Sequence, residues 1–348
     1  MRVSVVILLV VLHEIAAVPV DVPVYQDDSV EEVPQEPLAT EFVVDGAHLG
    51  QVTGLGVDSE QRLHVFHRCS RVWDQTSFDD QEKFNPAKGA INASTIIVVD
   101  PETGKVLEKR GADRFYMPHG LTVDHEDNVW VTDVALHQVM KFRKGEDKPS
   151  LTLGEAFVPG NDDAHFCKPT DVAVASNGDF FVADGYCNSR IMKFDKNGNL
   201  LTKFGGKNAG FPAGAGQLNV PHSITLIEDL DLVCVADREN ERIQCFSAGI
   251  AVGTHAIPTG MLITKAENLG RVYAIREKAH YLVGVTGSDL LGLSAPQVFV
   301  MDVNTGKAQT YAKGIESPHD LAITDSGTVF IGEIGPNRIL KLQLAEGQ

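Results

Sequence analysis

The stretch Met117-Pro118-His119-Gly120-Leu121-Thr122-Val123-Asp124, followed by Asn128-Val129-Trp130-Val131-Thr132-Asp133, is the clearest copy of a pattern that recurs along this chain. Further copies carry their proline at positions 169, 221 and 318, and another begins at Thr53. The long gap between the last two prolines leaves room for a degenerate copy near residues 258–285. The pattern therefore occurs six times, with a period near fifty residues.

The repeat decides the fold class. A period of this length, built from short alternating apolar strands and turns of Gly, Asp and Asn, is typical of a β-propeller with one four-stranded sheet per copy. The sequence therefore predicts an all-β fold, a six-bladed β-propeller whose repeats resemble the NHL type. Some other all-β array is the alternative.

Composition and the N-terminus indicate which partners are excluded and in which compartment the protein works. The 348 residues carry a net charge of −17, which argues against a nucleic-acid partner. Arg2 and the apolar run Val3–Leu12 have the proportions of a signal peptide, predicted over residues 1–17. Residues 18–40 read as a flexible acidic leader and residues 41–348 as the propeller. No later run is long enough for a membrane span. Together with the predicted signal peptide, this favours a secreted protein. We expect it to be a monomer.

The five cysteines fit an oxidising compartment. Cys234 and Cys245 are equidistant from the centre of a polar turn, so they would face each other across a hairpin. Cys167 and Cys187 are then the natural second pair, which leaves Cys69 as a free thiol. Asn92 begins a glycosylation sequon, Asn-Ala-Ser.

The Pro-His steps predict a metal site. They lie where the chain enters the innermost strand of a blade, beside the central channel. The second, fourth and sixth copies have histidine there, at His119, His222 and His319, whereas the third has Thr170. Alternate blades of a six-fold ring are a third of a turn apart, so three imidazoles would point at the axis. Three histidines with an open fourth position are typical of a catalytic zinc. The alternative is a consensus histidine bonded to nearby backbone.

Several long strings resemble the peptidyl-α-hydroxyglycine α-amidating lyases, the second enzyme of peptide amidation, over nearly all of the chain from about residue 42. They are Phe66-His67-Arg68, Val72-Trp73-Asp74, Trp130–Val139, His165–Val174, Asp184–Ile191 and Cys234–Phe246.

The resemblance implies a stand-alone lyase that cuts the N–Cα bond of peptidyl-α-hydroxyglycine, leaving a peptide amide and glyoxylate in the lumen of the secretory pathway. It implies zinc on the three histidines, catalytic roles for Tyr186 and Arg68 with support from Arg238, and the two disulfides named above. It also implies a structural calcium on Asp320 and the backbone carbonyls of Leu55 and Leu121.

These roles have a chemical logic. Tyr186 is the candidate base for the substrate hydroxyl, and positive charge from zinc and Arg238 would favour its phenolate. Arg68 suits the terminal carboxylate of the substrate, because a guanidinium holds a carboxylate through two parallel hydrogen bonds.

Two departures from the family pattern keep other functions open. Cys69 replaces a glycine and could shift Arg68 or bring a thiol near the metal, and Ser317 stands where the family often has methionine. A catalytically weak, peptide-binding paralogue is therefore a second hypothesis. A six-bladed lactonase-type hydrolase is a third, although its calcium would need carboxylate and Asn ligands.

Overall fold

The computed structural model describes residues 38–210, 212–251, 257–289 and 291–345. The predicted signal peptide and most of the predicted leader lie outside these ranges. Within them, no helix has the length and apolarity needed to cross a bilayer. The description that follows concerns the unit that the contacts define from Glu36 onward.

The described chain forms six antiparallel four-stranded sheets, as the repeat predicts. Blade one holds β2 (Val52–Val57), β3 (Leu63–His67), β4 (Ile96–Val99) and β5 (Val106–Arg110); blade two holds β6 (Pro118–Val123), β7 (Val129–Asp133), β8 (Gln138–Phe142) and β9 (Pro149–Leu153). Blade three holds β10 (Asp171–Val174), β11 (Phe180–Asp184), β12 (Arg190–Phe194) and β13 (Leu200–Gly205); blade four holds β14 (Pro221–Ile227), β15 (Leu232–Asp237), β16 (Arg242–Ser247) and β17 (Leu262–Ala266). Blade five holds β18 (Arg271–Lys278), β19 (Tyr281–Gly287), β20 (Gln297–Asp302) and β21 (Ala308–Ala312); blade six holds β22 (Pro318–Ile323), β23 (Thr328–Glu333), β24 (Ile339–Gln343) and the N-terminal β1 (Thr40–Phe42). Three short 3₁₀ turns lie at Pro86–Lys88, Glu228–Leu230 and Arg238–Asn240.

The ring closes between the two ends of the chain. β1 pairs antiparallel with β24, with Thr40 opposite Lys341 and Phe42 opposite Ile339. The last blade therefore takes its outer strand from the beginning of the domain. This pairing joins blade six to blade one and fixes all six blades in one ring.

Local sequence explains the strands and turns. β15 (Leu-Val-Cys-Val-Ala-Asp) is buried along its whole length, since a blade packs against a neighbour on each face and needs a continuous apolar run. Asp58 follows the inner strand of blade one, and its carboxylate accepts the backbone N–H groups of Glu60 and Arg62. An aspartate in this place closes the turn into the next strand.

The core consists of clusters between neighbouring blades. Phe299 of blade five, for example, packs in one cluster with Cys234 and Cys245 of blade four. Each fully buried phenylalanine contributes about 1.5–3 kcal/mol to folding. The predicted degenerate copy is blade five, whose inner strand β18 lies within the expected 258–285 window.

Candidate active site

The three predicted histidines converge on the axis. His119, His222 and His319 are the second residues of β6, β14 and β22, in blades two, four and six. Their ring centroids are 4.7–4.8 Å apart, and one nitrogen from each ring lies within 4.8 Å of the others. All three side chains are buried. In the described part of the chain this is the one group of at least three His, Cys, Asp or Glu side chains that could hold a metal ion.

Backbone carbonyls of the other three blades fix the imidazole tautomers. The distances from Nδ1 to the carbonyl oxygen are 2.8 Å for His119 and Thr170, 2.6 Å for His222 and Tyr273, and 2.9 Å for His319 and Thr53. A carbonyl can only accept, so each Nδ1 carries the hydrogen and each Nε2 keeps its lone pair. A histidine ligand oriented through its second nitrogen is the usual arrangement around a protein-bound metal.

The site keeps these imidazoles neutral. Burial lowers the pKa of each one well below its ordinary value, and the positive charge of Arg238 acts in the same direction on all three. Neutral imidazole is the form that binds a metal. A cavity of about 10 Å³, lined by the three histidines together with Asp171 and Asp320, has room for a single ion.

Tyr186 lies against the triad. It follows β11, in the turn between the second and third strands of blade three, as the repeat geometry predicts. Its hydroxyl is 2.9 Å from Nε2 of His119 and 3.3 Å from Nε2 of His222. Burial raises the pKa of the phenol, while the guanidinium groups of Arg238 and Arg68 lower it. The aromatic ring of Trp73 packs against Tyr186 at 4.9 Å between centroids.

Arg68 presents an unused hydrogen-bond donor. Its Nε donates to the carbonyl of Pro118 at 2.9 Å, and Nη1 donates to Oε1 of Gln51 at 2.8 Å. Nη2 is buried and has no partner among the described residues. Burial lowers the pKa of Arg68 to about 10, so the group is still a cation at neutral pH. A buried donor without a partner is costly unless a ligand satisfies it.

Arg238 stands between two tyrosines. Its guanidinium lies 5.3 Å from the ring centroid of Tyr186 and 5.0 Å from that of Tyr273. Its Nε donates to Glu239 at 2.7 Å, and Arg271 pairs with the same carboxylate. The structure thus brings all three predicted catalytic side chains close to the histidine triad that could hold a metal ion.

The cysteines are arranged as predicted. Cys167 bonds to Cys187, and Cys234 bonds to Cys245, its direct partner in the register of β15 and β16. Cys69 is free, but its Sγ lies beside His67 at 3.9 Å from Nε2, outside the triad. These two disulfides are compatible with a secreted protein. Asn92, in the predicted sequon, is exposed.

The residues predicted to bind calcium do not fit that ion. The carboxylate of Asp320 accepts the backbone N–H groups of Leu55 and Leu321 at 2.8 and 2.9 Å. Nη2 of Arg276 lies 2.8 and 3.1 Å from its two oxygens. A guanidinium therefore holds the carboxylate that calcium would need, and Leu55 reaches that carboxylate with a donor. Leu121, whose backbone carbonyl is the third predicted ligand, lies on β6 opposite Val131 of β7.

The sequence predicts no role for four residues near the site. They are Gln51, Trp73, Lys168 and Tyr273. Trp73 lies in one of the strings that resemble the lyases, but the string does not say which way the ring points. Tyr273 aligns with His222 once the register of the degenerate fifth copy is known, because the irregularities of β14 and β18 fall at the same place. Lys168 packs over the rings of Phe78 and Tyr186.

The fold and site define a propeller built from NHL-type repeats with a candidate metal centre at its axis. The NHL repeat family model matches residues 166–194 and 218–246. The virginiamycin B lyase of Staphylococcus aureus has a TM-score of 0.55 and 16% identity over 89% of this chain and 100% of its own. A gluconolactonase of Xanthomonas campestris has the same TM-score with 12% identity, over 86% of this chain and 87% of its own. These structures share the fold.

Relatives that match in sequence define the family more narrowly than the shared fold does. A probable peptidyl-alpha-hydroxyglycine alpha-amidating lyase of Caenorhabditis elegans is 52% identical over 85% of this chain and 83% of its own length. Lyase 2 of that name from Drosophila melanogaster is 38% identical over 90% of this chain and 77% of its own. The chain spans 32% of the peptidyl-glycine alpha-amidating monooxygenase A of Xenopus laevis, at 43% identity. The chain belongs to the peptidyl-α-hydroxyglycine α-amidating lyase family, and it is a lyase.

Proposed function

We propose that this protein binds zinc on His119, His222 and His319 and cleaves the N–Cα bond of peptides that end in α-hydroxyglycine. The products are a peptide amide and glyoxylate. One observation carries the proposal: the Tyr186 hydroxyl lies 2.9 and 3.3 Å from Nε2 of His119 and His222, and one ring nitrogen from each of the three histidines lies within 4.8 Å of the others. The disulfides and the predicted signal peptide support work in the secretory pathway.

The donor set supports zinc over calcium or magnesium at this point. Imidazole nitrogen is a ligand that zinc prefers, whereas calcium and magnesium prefer oxygen. Three protein ligands leave a fourth position for substrate, as in other catalytic zinc sites. When bound, zinc would supply Lewis acidity that makes the substrate hydroxyl easier to deprotonate.

Arg68 would hold the substrate carboxylate. Its free Nη2 donor is close enough to the triad for its charge to lower the pKa of His119. A charge-assisted hydrogen bond to carboxylate would satisfy this donor and orient the hydroxyglycine. Since Pro118 and Gln51 already hold Nε and Nη1, the guanidinium cannot turn away.

Tyr186 would take the proton of the substrate hydroxyl. As the O–H bond gives up its proton to the phenolate, the oxygen lone pair forms the C=O of glyoxylate and the N–Cα bond breaks. The electrons of that bond pass to the amide nitrogen, which takes from the Tyr186 phenol the proton that the hydroxyl gave up and leaves as the amide. Atoms and charge balance without an oxidant or a second substrate. The charge of Arg238, 5.3 Å from the Tyr186 ring centroid, favours the phenolate.

The test is glyoxylate release from a synthetic peptide ending in α-hydroxyglycine, measured together with the zinc content of the same sample. We expect turnover well above the uncatalysed rate and about one zinc per chain. His222→Ala should lose both, whereas replacement of the exposed His125 by Ala should lose neither. Zinc without glyoxylate would favour the peptide-binding paralogue. Neither zinc nor glyoxylate would favour the lactonase-type hydrolase.

A further inference from the structure

We infer that Arg276 is the resident cation of the propeller axis, and that its guanidinium takes the place which the family resemblance assigns to a structural calcium. The inference goes beyond the proposed reaction and does not depend on it. It concerns the layer of residues that directly follows the metal-binding triad along the inner strands.

The guanidinium links three other blades to its own. Arg276 lies on β18 of blade five, three residues after Tyr273. Nη2 contacts both carboxylate oxygens of Asp320 in blade six, at 2.8 and 3.1 Å. Nη1 lies 3.3 Å from Oδ2 of Asp171 in blade three and donates to Oγ of Ser223 in blade four at 2.9 Å. One positive charge thus stands between two buried carboxylates.

The same network reaches every blade. Asp320 accepts the backbone N–H of Leu55 in blade one at 2.8 Å. The hydroxyl of Thr122 in blade two donates to the carbonyl of Val172 at 2.7 Å and lies 3.3 Å from Oδ1 of Asp171. Ser223 also donates to Asp171 at 3.0 Å. The members, one from each blade in order, are Leu55, Thr122, Asp171, Ser223, Arg276 and Asp320. The guanidinium is thus a central cation connected to all six inner strands, which is the role that a structural ion in a propeller channel would have.

The guanidinium provides a counter-charge that both carboxylates share. Two buried carboxylates would repel each other strongly and require a counter-charge. Arg276 supplies it from within the chain, with additional hydrogen bonds to Ser223 and to its own neighbour Ile275. A calcium ion needs six to eight oxygen ligands, and at this place it would stand beside a guanidinium. The positive charges of the calcium ion and the guanidinium would repel each other.

The network also supports the triad. Asp320 directly follows His319, Ser223 directly follows His222, and Asp171 follows Thr170, whose carbonyl orients His119. Movement in the carboxylate layer would therefore move the imidazoles.

The decisive experiment measures calcium in the purified full-length protein and the effect of calcium and of a calcium chelator on its Tm. We expect substoichiometric calcium and no Tm response to either. A full equivalent of calcium that survives desalting, or a Tm that falls with chelator and recovers with calcium, would overturn the inference. Neither readout requires lyase activity, so failure here is distinguishable from failure of the proposed reaction.

Variants sharpen the test. Arg276→Ser leaves two unpaired carboxylates, so without calcium its Tm should fall by at least about 5 °C. Millimolar calcium should then restore part of that loss in a saturable manner. Arg276→Lys keeps the charge and should show no calcium response. Arg143→Ser removes an exposed arginine and is the matched control, with an unchanged Tm.

If Arg276→Ser loses stability and calcium restores none of it, the exchange of one cation for another is wrong. Should that variant not fold, the measurements on the unaltered protein still decide.

Discussion

The hydroxyl of Tyr186 lies 2.9 Å from Nε2 of His119, although one residue follows the second strand of blade three and the other enters the first strand of blade two. The contact exists because a propeller places these two positions of neighbouring blades on the same face of the ring. It puts a phenol beside the nitrogen that would bind the metal. The proposed chemistry depends on this proximity.

Replacing Tyr186 by Phe should abolish turnover and leave zinc bound. The variant keeps the ring that packs on Trp73 and loses the group proposed to accept the proton, so kcat should fall by at least about 100-fold. The measurements are glyoxylate release and zinc content. Tyr281→Phe, at the start of β19, is the matched control and should behave as the unaltered protein. Full activity of Tyr186→Phe would remove the base assignment.

Replacing Arg68 by Lys should weaken substrate binding. Lysine keeps the charge but cannot bond to Pro118 and Gln51 while also presenting a fixed donor. We expect kcat/KM to fall about 10- to 100-fold, mainly through a higher KM. Steady-state kinetics with the hydroxyglycine peptide provides the measurement, and Arg143→Lys is the surface control. A fall in kcat with an unchanged KM would speak against carboxylate binding by Arg68.

The two disulfides should have separable effects. Each closes a short loop, of 20 and 11 residues in sequence separation, and loss of either should cost about 3 kcal/mol of stability. Only Cys187 is adjacent to Tyr186, so a Cys167→Ser, Cys187→Ser double variant should also lose kcat. The matching variant of Cys234 and Cys245 should lose stability alone, when both are assayed well below their Tm. Equal losses of kcat would contradict a positioning role for the first disulfide.

Cys69 should be unreactive at neutral pH. Burial raises the pKa of its thiol to about 11 from an ordinary value of 9.0. Because only the thiolate reacts, alkylation of the folded protein at pH 7.5 should be about 100-fold slower than in the urea-unfolded chain. The rate should then rise with pH until about 11. Cys69→Gly should keep full lyase activity. Rapid labelling at pH 7.5 with a plateau near pH 8 would show instead that the thiol is activated.

The repeat predicted the parts of the structure that depend on period and register. The six blades, the place of the degenerate copy and the convergence of His119, His222 and His319 all follow from the spacing of the Pro-His steps. The pairing of Cys234 with Cys245 follows from their equal distance from a turn. Because the blades are related by the symmetry of the ring, the spacing of residues along the chain determines where they lie around the axis.

Contacts made by long side chains and by the backbone could not be predicted in this way. The carbonyls of Thr53 and Tyr273 that orient the imidazoles carry no sequence signal, because every residue has one. Arg276 carries no sequence signal, since it lies in the degenerate copy, whose register the visible pattern does not define. Asp320 is the only side chain among the predicted calcium ligands. The strand register does not show that the guanidinium of Arg276 reaches its carboxylate.

The most direct test of the central claim is a crystal structure of the purified protein with diffraction data on both sides of the zinc absorption edge. The account predicts one zinc-specific anomalous peak on the propeller axis, within about 2.1 Å of Nε2 of His119, His222 and His319. A protein that releases glyoxylate while this peak is absent, or whose zinc lies away from the three histidines, would contradict it.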